Sequence, residues 1–263
     1  MTSTGPRESS TFYQAADGSE LPLLLFEPGD GAQPRAGIIV FHGGALREGS
    51  ADGLAAHCRK LASAGIFAVS AGYRLLGRGA SSIGDCVADV RRAVEQFGRL
   101  AASRGLDAPQ LASGGSSAGG HLALVAAMAA PDGPAATPEP GVAAVAAFNP
   151  AGLDLGSMDP DARRRLEDRV GLAPGRLTDY SLIELVRPGN LPVLIHHGTR
   201  DGIEPIDQVR RFRDAMERAG NACTLYEYED AEHGFHYPGE DTAHFDAVMD
   251  ATVRFLLDQL AVD

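Results

Sequence analysis

Two short runs, residues 37–41 (GIIVF) and 192–195 (PVLI), are apolar at every position, and this constrains the chain more than any other feature. A strand with one face in water alternates apolar and polar residues. A run with no polar position must be covered on both faces, as strands are in a parallel sheet flanked by helices. Similar short runs occur at 21–26 (LPLLLF), 66–71 (IFAVSA), 111–115 (LASGG), 142–148 (VAAVAAF), 191–197 (LPVLIHH) and 223–228 (CTLYEY). Longer stretches with helical spacing separate them. Residues 51–65 follow Ser50, a plausible N-cap, and end at Gly65, a plausible C′ glycine. Residues 85–105 place Val87, Val90, Val94 and Phe97 at steps of three and four, an apolar stripe. Residues 121–130, 206–220 and 243–260 complete the set. Alternation of this kind predicts an α/β fold, a mostly parallel central sheet with helices on both faces.

With 263 residues, 44% of them apolar, the chain is expected to form one domain, 1–263. The Pro/Gly-rich stretch 130–141 reads as a surface loop, because a core strand follows at once. Residues 150–190 leave room for a small lid and not for a second domain. No apolar run approaches a membrane span, and the polar N-terminus lacks a basic-then-apolar leader, so a cytoplasmic location is expected. A net charge of −12 disfavours nucleic acid and anionic membranes as partners. The oligomeric state is left open, a homodimer being one option. Cys58, Cys86 and Cys223 are odd in number and form no CxxC pair, which predicts buried free thiols and neither a disulfide framework nor a zinc site.

The chemistry concentrates in residues 113–121, SGGSSAGGH. Gly115, Ser117 and Gly119 fit G-x-S-x-G, a motif short enough to arise by chance roughly 0.2 times in a chain this rich in glycine. Its setting is what makes it specific. An apolar strand enters and a helical stretch leaves, the strand–turn–helix context of a nucleophile elbow. A flexible linker would not be flanked so tightly, and a phosphate loop would need a Gly-Lys-Ser/Thr ending. A serine displayed this way needs a base, and the base needs an acid to orient it. Asp201 and His233 follow two later strands in the order Ser, acid, His expected of this architecture. His42-Gly43-Gly44 comes straight after GIIVF, where the N–H groups of Gly43 and Gly44 can join that of Ala118 as an oxyanion hole.

The motifs HGGA, GYRL, GGSSAGG and HGTRD…AEHGF, taken in this order, resemble α/β-hydrolase-fold esterases of the hormone-sensitive-lipase and acetyl-esterase type, including the carbohydrate-esterase-like members. The similarity runs from about residue 21 to residue 260. It implies Ser117 as nucleophile, Asp201 as acid, His233 as base, and Gly43, Gly44 and Ala118 as oxyanion donors, with no cofactor and no metal. Where the family often has a third glycine this chain has Ala45, and where an aromatic often follows it has Leu46. These two residues are expected to bind substrate and to narrow the acyl pocket. The N-terminal cap helices of larger lipase-like members are expected to be absent, as few residues precede the first expected strand.

Plainer readings stand beside these. Ser117 as a turn serine, Asp201 as a loop-solvating aspartate with Glu204 its nearest substitute, and His233 as a surface histidine are each simpler than a triad. His42 is expected to brace its loop and His121 to be packed. Tyr73-Arg74 is expected to brace the loop beneath the oxyanion strand. His196, His197 and His236 read as a histidine-rich rim without a metal-ligand set. The leading expectation is a carboxylester hydrolase acting on a small acetyl-like ester. The alternatives are an acyl transferase, lactonase, amidase or cyclase using the same triad, and a non-catalytic ligand-binding protein on this fold.

Overall fold

The computed structural model describes residues 5–129, 141–239 and 242–260. Eight strands form one sheet: β1 (Arg7–Gln14), β2 (Glu20–Glu27), β3 (Ala36–Phe41), β4 (Ile66–Ala71), β5 (Leu111–Ser116), β6 (Ala144–Phe148), β7 (Val193–Gly198) and β8 (Cys223–Tyr228). Their order is β1-β2-β4-β3-β5-β6-β7-β8. β3 to β8 run parallel, and β1 and β2 add an antiparallel edge. Every residue of β3, β4, β5, β6 and β7 is buried, as the all-apolar runs require.

The helices supply the cover. α2 (Ile83–Ala102), α3 (Ala118–Met128) and α5 (Ile206–Arg218) contribute Val90, Phe97, Leu122, Val209 and Phe212 to the core on one face. α1 (Ala55–Ser63) and α6 (Ala243–Leu260) contribute Cys58, Leu61, Val248 and Leu256 to the core on the other. The start of α2 is fixed by a capping box: the Ser82 hydroxyl accepts from Asp85 N–H while the Asp85 carboxylate accepts from Ser82 N–H. The stretch after Ser50 differs from expectation. It opens as a 3₁₀ turn, Ala51–Leu54, and the Ser50 hydroxyl bonds the Asp52 carboxylate and caps no backbone N–H. Gly65 ends the stretch at φ +84°, as a C′ glycine should.

β1 is a correction to the sequence reading, which began the sheet at residue 21. Of its eight residues only Tyr13 is buried. An edge strand held by one neighbour needs no apolar face, so its sequence carries little signal; the Arg7–Glu27 ion pair and the Tyr13 hydroxyl, which donates to Gly72 C=O, secure it. The loop expected at 130–141 lies, up to residue 140, outside the described residues.

The segment 150–190 lies over the α2 and α3 side. It carries α4 (Pro160–Arg169) and short 3₁₀ turns, and buries Leu153, Leu155, Val170, Leu177, Leu182 and Leu185. The buried Glu167 carboxylate accepts from Gly175 and Leu177 N–H, and Arg47, in the loop after β3, donates to Arg169 C=O. The three cysteines are buried and free, and burial pushes the Cys223 thiol up to about 12. Among the described residues, no helix is long and apolar enough to cross a membrane.

Candidate active site

Ser117 stands between the end of β5 and the first turn of α3 at φ +50° and ψ −120°, a backbone conformation that L-residues avoid. The strain is held by its surroundings. Ser117 N–H donates to Phe148 C=O at 2.9 Å, and the glycines on either side leave no room to relax. A Cβ at Gly115 would lie 2.4 Å from Phe41 O, and one at Gly119 would lie 2.1 Å from Phe41 O and 2.4 Å from His42 O. Bare backbone contact therefore presses the start of α3 against the end of β3.

His233 and Asp201 reach this turn from the loops after β8 and β7. His233 Nε2 lies 2.9 Å from Ser117 Oγ, and its Nδ1 lies 2.7 Å from Asp201 Oδ2. Asp201 Oδ1 accepts from the N–H groups of Ile203 (2.8 Å) and Glu204 (3.1 Å). Burial works to raise the Asp201 carboxyl, but the bonds from His233, Glu204 and Ile203 together outweigh it and hold the group below its usual range. An ionised Asp201 thus faces Nδ1, which fixes the proton there and leaves Nε2 as an acceptor for the serine hydroxyl. Glu204, the other acid considered, turns away: its carboxylate accepts from Gly152 and Leu153 N–H at 2.9 and 3.1 Å. Burial pushes its carboxyl up to about 7 against those two bonds.

The loop after β3 is shaped from beneath. His42 is buried, its Nδ1 donates to Gly43 C=O at 2.7 Å, and its ring stacks on Tyr73 at 4.4 Å. The Tyr73 hydroxyl donates to His42 C=O, and Arg74 forms an ion pair with the buried Asp89, so both residues brace this region as expected. Gly44, Ala45 and Leu46 have φ of +114°, +51° and +65°. Among the described residues none accepts from the N–H groups of Gly43, Gly44 or Ala118. Ala45 is exposed. Leu46 instead drops beneath the loop into the core cluster that holds Tyr73 and Leu76, and its C=O accepts from Leu76 N–H.

The histidine-rich rim does not exist. His196, His197 and His236 are each fully buried. His197 Nε2 donates to Glu204 C=O and lies 3.4 Å from Asp201 Oδ2, supporting the acid from below. His196 is held between the Tyr228 and Thr252 hydroxyls. His236 Nε2 lies 3.0 Å from Ser116 Oγ and its Nδ1 lies 2.9 Å from His57 Nε2, while the Tyr237 hydroxyl donates to Ser116 Oγ. His121 is packed as expected, with Nδ1 donating to Ala151 C=O. No group of His, Cys, Asp or Glu that could hold a metal occurs among the described residues.

Sequence reasoning passed over Asn149. It directly follows β6, is fully buried at φ +36°, and brings its side-chain nitrogen within 3.2 Å of His233 Nε2. The available signal was weak: an asparagine, tolerant of positive φ, at the carboxyl end of a buried strand.

The family model described as BD-FAE matches residues 23–216. Ethyl acetate hydrolase of Pseudomonas putida is 37% identical over 116 residues, which are 42% of this chain; the match spans 35% of that enzyme's length. Among solved structures, Thermogutta terrifontis esterase 2 phosphonylated by sarin superimposes with a TM-score of 0.84 at 30% identity, covering 97% of this chain and 96% of the other. The propionate-bound form of that thermophilic esterase gives 0.82 at 31% identity, covering 98% and 96%.

Proposed function

This chain belongs to the BD-FAE family, and from that premise we propose that it is a serine carboxylic ester hydrolase of the α/β-hydrolase fold acting on short-chain, acetyl-like esters through Ser117, His233 and Asp201. The observation that carries the reading is the unbroken run of contacts from Ser117 Oγ through both nitrogens of His233 to a buried carboxylate, at 2.9 and 2.7 Å. Such a run supports the reading because it is what a serine hydroxyl needs to become a nucleophile.

The chemistry proceeds in two halves. Ser117 Oγ attacks the ester carbonyl while its proton moves to His233 Nε2. Asp201 accepts from Nδ1–H and stabilises the imidazolium. The carbonyl oxygen, now negative, lies against the N–H groups of Gly43, Gly44 and Ala118, the last at the positive end of α3. The C–O bond to the alcohol breaks and Nε2–H protonates the departing oxygen. Water then repeats the sequence: its proton passes to Nε2, its oxygen bonds the acyl carbon, and Ser117 recovers its proton as the acid leaves.

Short acyl groups fit the exposed Ala45, whose methyl stands beside Gly44 in the donor loop. A relative that hydrolyses ethyl acetate and an esterase structure that binds propionate point the same way. The test is a fluorophosphonate probe followed by peptide mapping, with a panel of simple esters, acetylated sugars, lactones and amides. One adduct on Ser117 and turnover of short esters are expected. An adduct on Ser116, or on no serine, overturns the assignment.

A further inference from the structure

Asn149 is placed for more than its backbone. Its N–H donates to His196 C=O at 2.7 Å, so the residue is anchored to β7 beside the turn that carries Ser117. Its amide has one orientation that satisfies both neighbours. Gly234 N–H lies 3.3 Å from Oδ1, which must therefore be the oxygen, and Nδ2 then faces His233 Nε2 at 3.2 Å. The reverse orientation would set an NH₂ against an N–H and an oxygen against a lone pair.

Nε2 is thus met by two donors, the Ser117 hydroxyl and the Asn149 amide. On the ester-hydrolase reading given above, they do not last equally long. Once Ser117 Oγ is bonded to the acyl carbon it has no hydrogen to give. From then until water arrives, the only donor of the two left at Nε2 is Asn149. We propose that Asn149 is a positioning residue that holds the His233 imidazole in place during the acyl-enzyme stage, by keeping a donor at the Nε2 lone pair until the hydrolytic water takes that contact over and gives up its proton there. Asp201 holds the ring at Nδ1, and Asn149 adds the second point that stops it pivoting about that bond: His233 is a quarter exposed, and its loop turns at Gly234, where φ is +83°. In the first half-reaction Ser117 itself aligns the ring, so Asn149 matters less there.

The simpler role for position 149 is to tolerate a positive φ and to cap Gly234 N–H. Two substitutions separate the roles. Asn149→Gly keeps the φ and removes the side chain. Asn149→Asp keeps both the tolerance of positive φ and an oxygen for Gly234, but replaces the donor to Nε2 with a carboxylate acceptor that favours the imidazolium, so its kinetics are read on the high-pH plateau where His233 is neutral. Each variant and the parent are followed by stopped-flow release of p-nitrophenolate from p-nitrophenyl acetate, and their folding is checked by thermal melts. In both variants kcat should fall roughly ten-fold and KM with it, so that kcat/KM stays within about three-fold, the pattern of a slowed second step. The burst should grow toward one p-nitrophenolate per chain. Unchanged kcat in folded variants, an equal fall of kcat and kcat/KM, or full rescue by Asn149→Asp of what Asn149→Gly loses would overturn the proposal. If Asn149→Gly fails to fold, Asn149→Asp alone decides between them. A parent protein with neither burst nor turnover would instead remove the hydrolase reading beneath it.

Discussion

Two serine–histidine pairs lie side by side in this molecule, built from adjacent serines and from histidines three residues apart. Ser117 Oγ is 2.9 Å from His233 Nε2, and Ser116 Oγ is 3.0 Å from His236 Nε2. The distances do not distinguish them; what stands behind each histidine does. His233 is backed by the Asp201 carboxylate and partly open, whereas His236 is backed by the neutral ring of His57 and sealed. Among the described residues no carboxylate bonds His236 to balance an imidazolium, and burial, with His57, His196 and His233 around it, lowers its proton affinity well below that of a free histidine. Ser116 also ends a strand, while Ser117 sits strained at the head of a helix. On the proposed reading, a Ser–His contact yields a nucleophile only with a carboxylate behind it and access in front.

The sharpest way to break this comparison is to delete each hydroxyl in turn. Ser117→Ala should lower kcat for p-nitrophenyl acetate by on the order of 10⁴ to 10⁶. Ser116→Ala should leave kcat within about ten-fold but destabilise the fold by about 1–3 kcal/mol, because His236 Nε2 and the Tyr237 hydroxyl lose a buried partner. Similar activity losses in the two variants would erase the distinction. Next come the acids. Asp201→Asn should cost roughly 10⁴ in kcat through loss of the correct tautomer. Glu204→Gln, whose effect falls on the Gly152–Leu153 turn, should stay within about five-fold in steady-state assays, as expected of a residue outside the acting unit. The opposite ranking would move the acid to Glu204.

Acid stability probes the sealed pair and its neighbours. Burial holds His57 down to about 4 and His196 down to about 3, and lowers His236 as well, from an ordinary value of 6.5. Below that ordinary value the unfolded chain binds protons the folded chain refuses, so stability should fall as pH drops from about 6.5 toward about 4. Glu204 has the opposite sign. Its folded value of about 7 lies above the ordinary 4.5, so its contribution is full at low pH and is lost as pH rises through about 7. Three histidines against one glutamate make the acid-side loss prevail. Urea midpoints measured across this range should decline steadily on acidification; a flat profile would mean that the rings are already charged in the fold.

The smallest effect concerns the donor loop. Across p-nitrophenyl esters from acetyl to dodecanoyl, kcat/KM should peak at butyryl or shorter. Ala45→Gly should shift the peak to longer chains and, by relieving φ +51°, stabilise the protein by up to about 1 kcal/mol. A parent optimum at octanoyl or beyond would show that Ala45 does not close the acyl site.

What could be read from the sequence follows from how local each signal is. The parallel strands β3 to β7 announced themselves because both faces are buried; Ser117 and Asp201 sit in short motifs after such strands, and His233 in one after the half-exposed edge strand β8. β1 was invisible because exposed edge residues such as Ser9 and Ser10 carry no pattern. The histidine rim was misread because His57 and His236 meet across 179 positions, and a histidine beside a catalytic loop looks alike whether it points out or in. Asn149 makes its contacts 84 and 85 positions downstream, beyond the reach of any local motif.

The bare contact between Gly119 and the carbonyls of Phe41 and His42 has a consequence for how this protein can change. Because no atom separates the two backbones, the gap between the donor groups of β3's loop and those of α3 is set by the thickness of the chain itself and not by any side chain. Drift or laboratory selection cannot tune that spacing gradually; a single methyl at 119 would have to wedge the two segments apart and misplace both sets of donors at once. On the proposed reading, variation in what the protein accepts is therefore channelled away from this seam and toward the exposed Ala45, where a side chain changes the room for substrate without moving the frame.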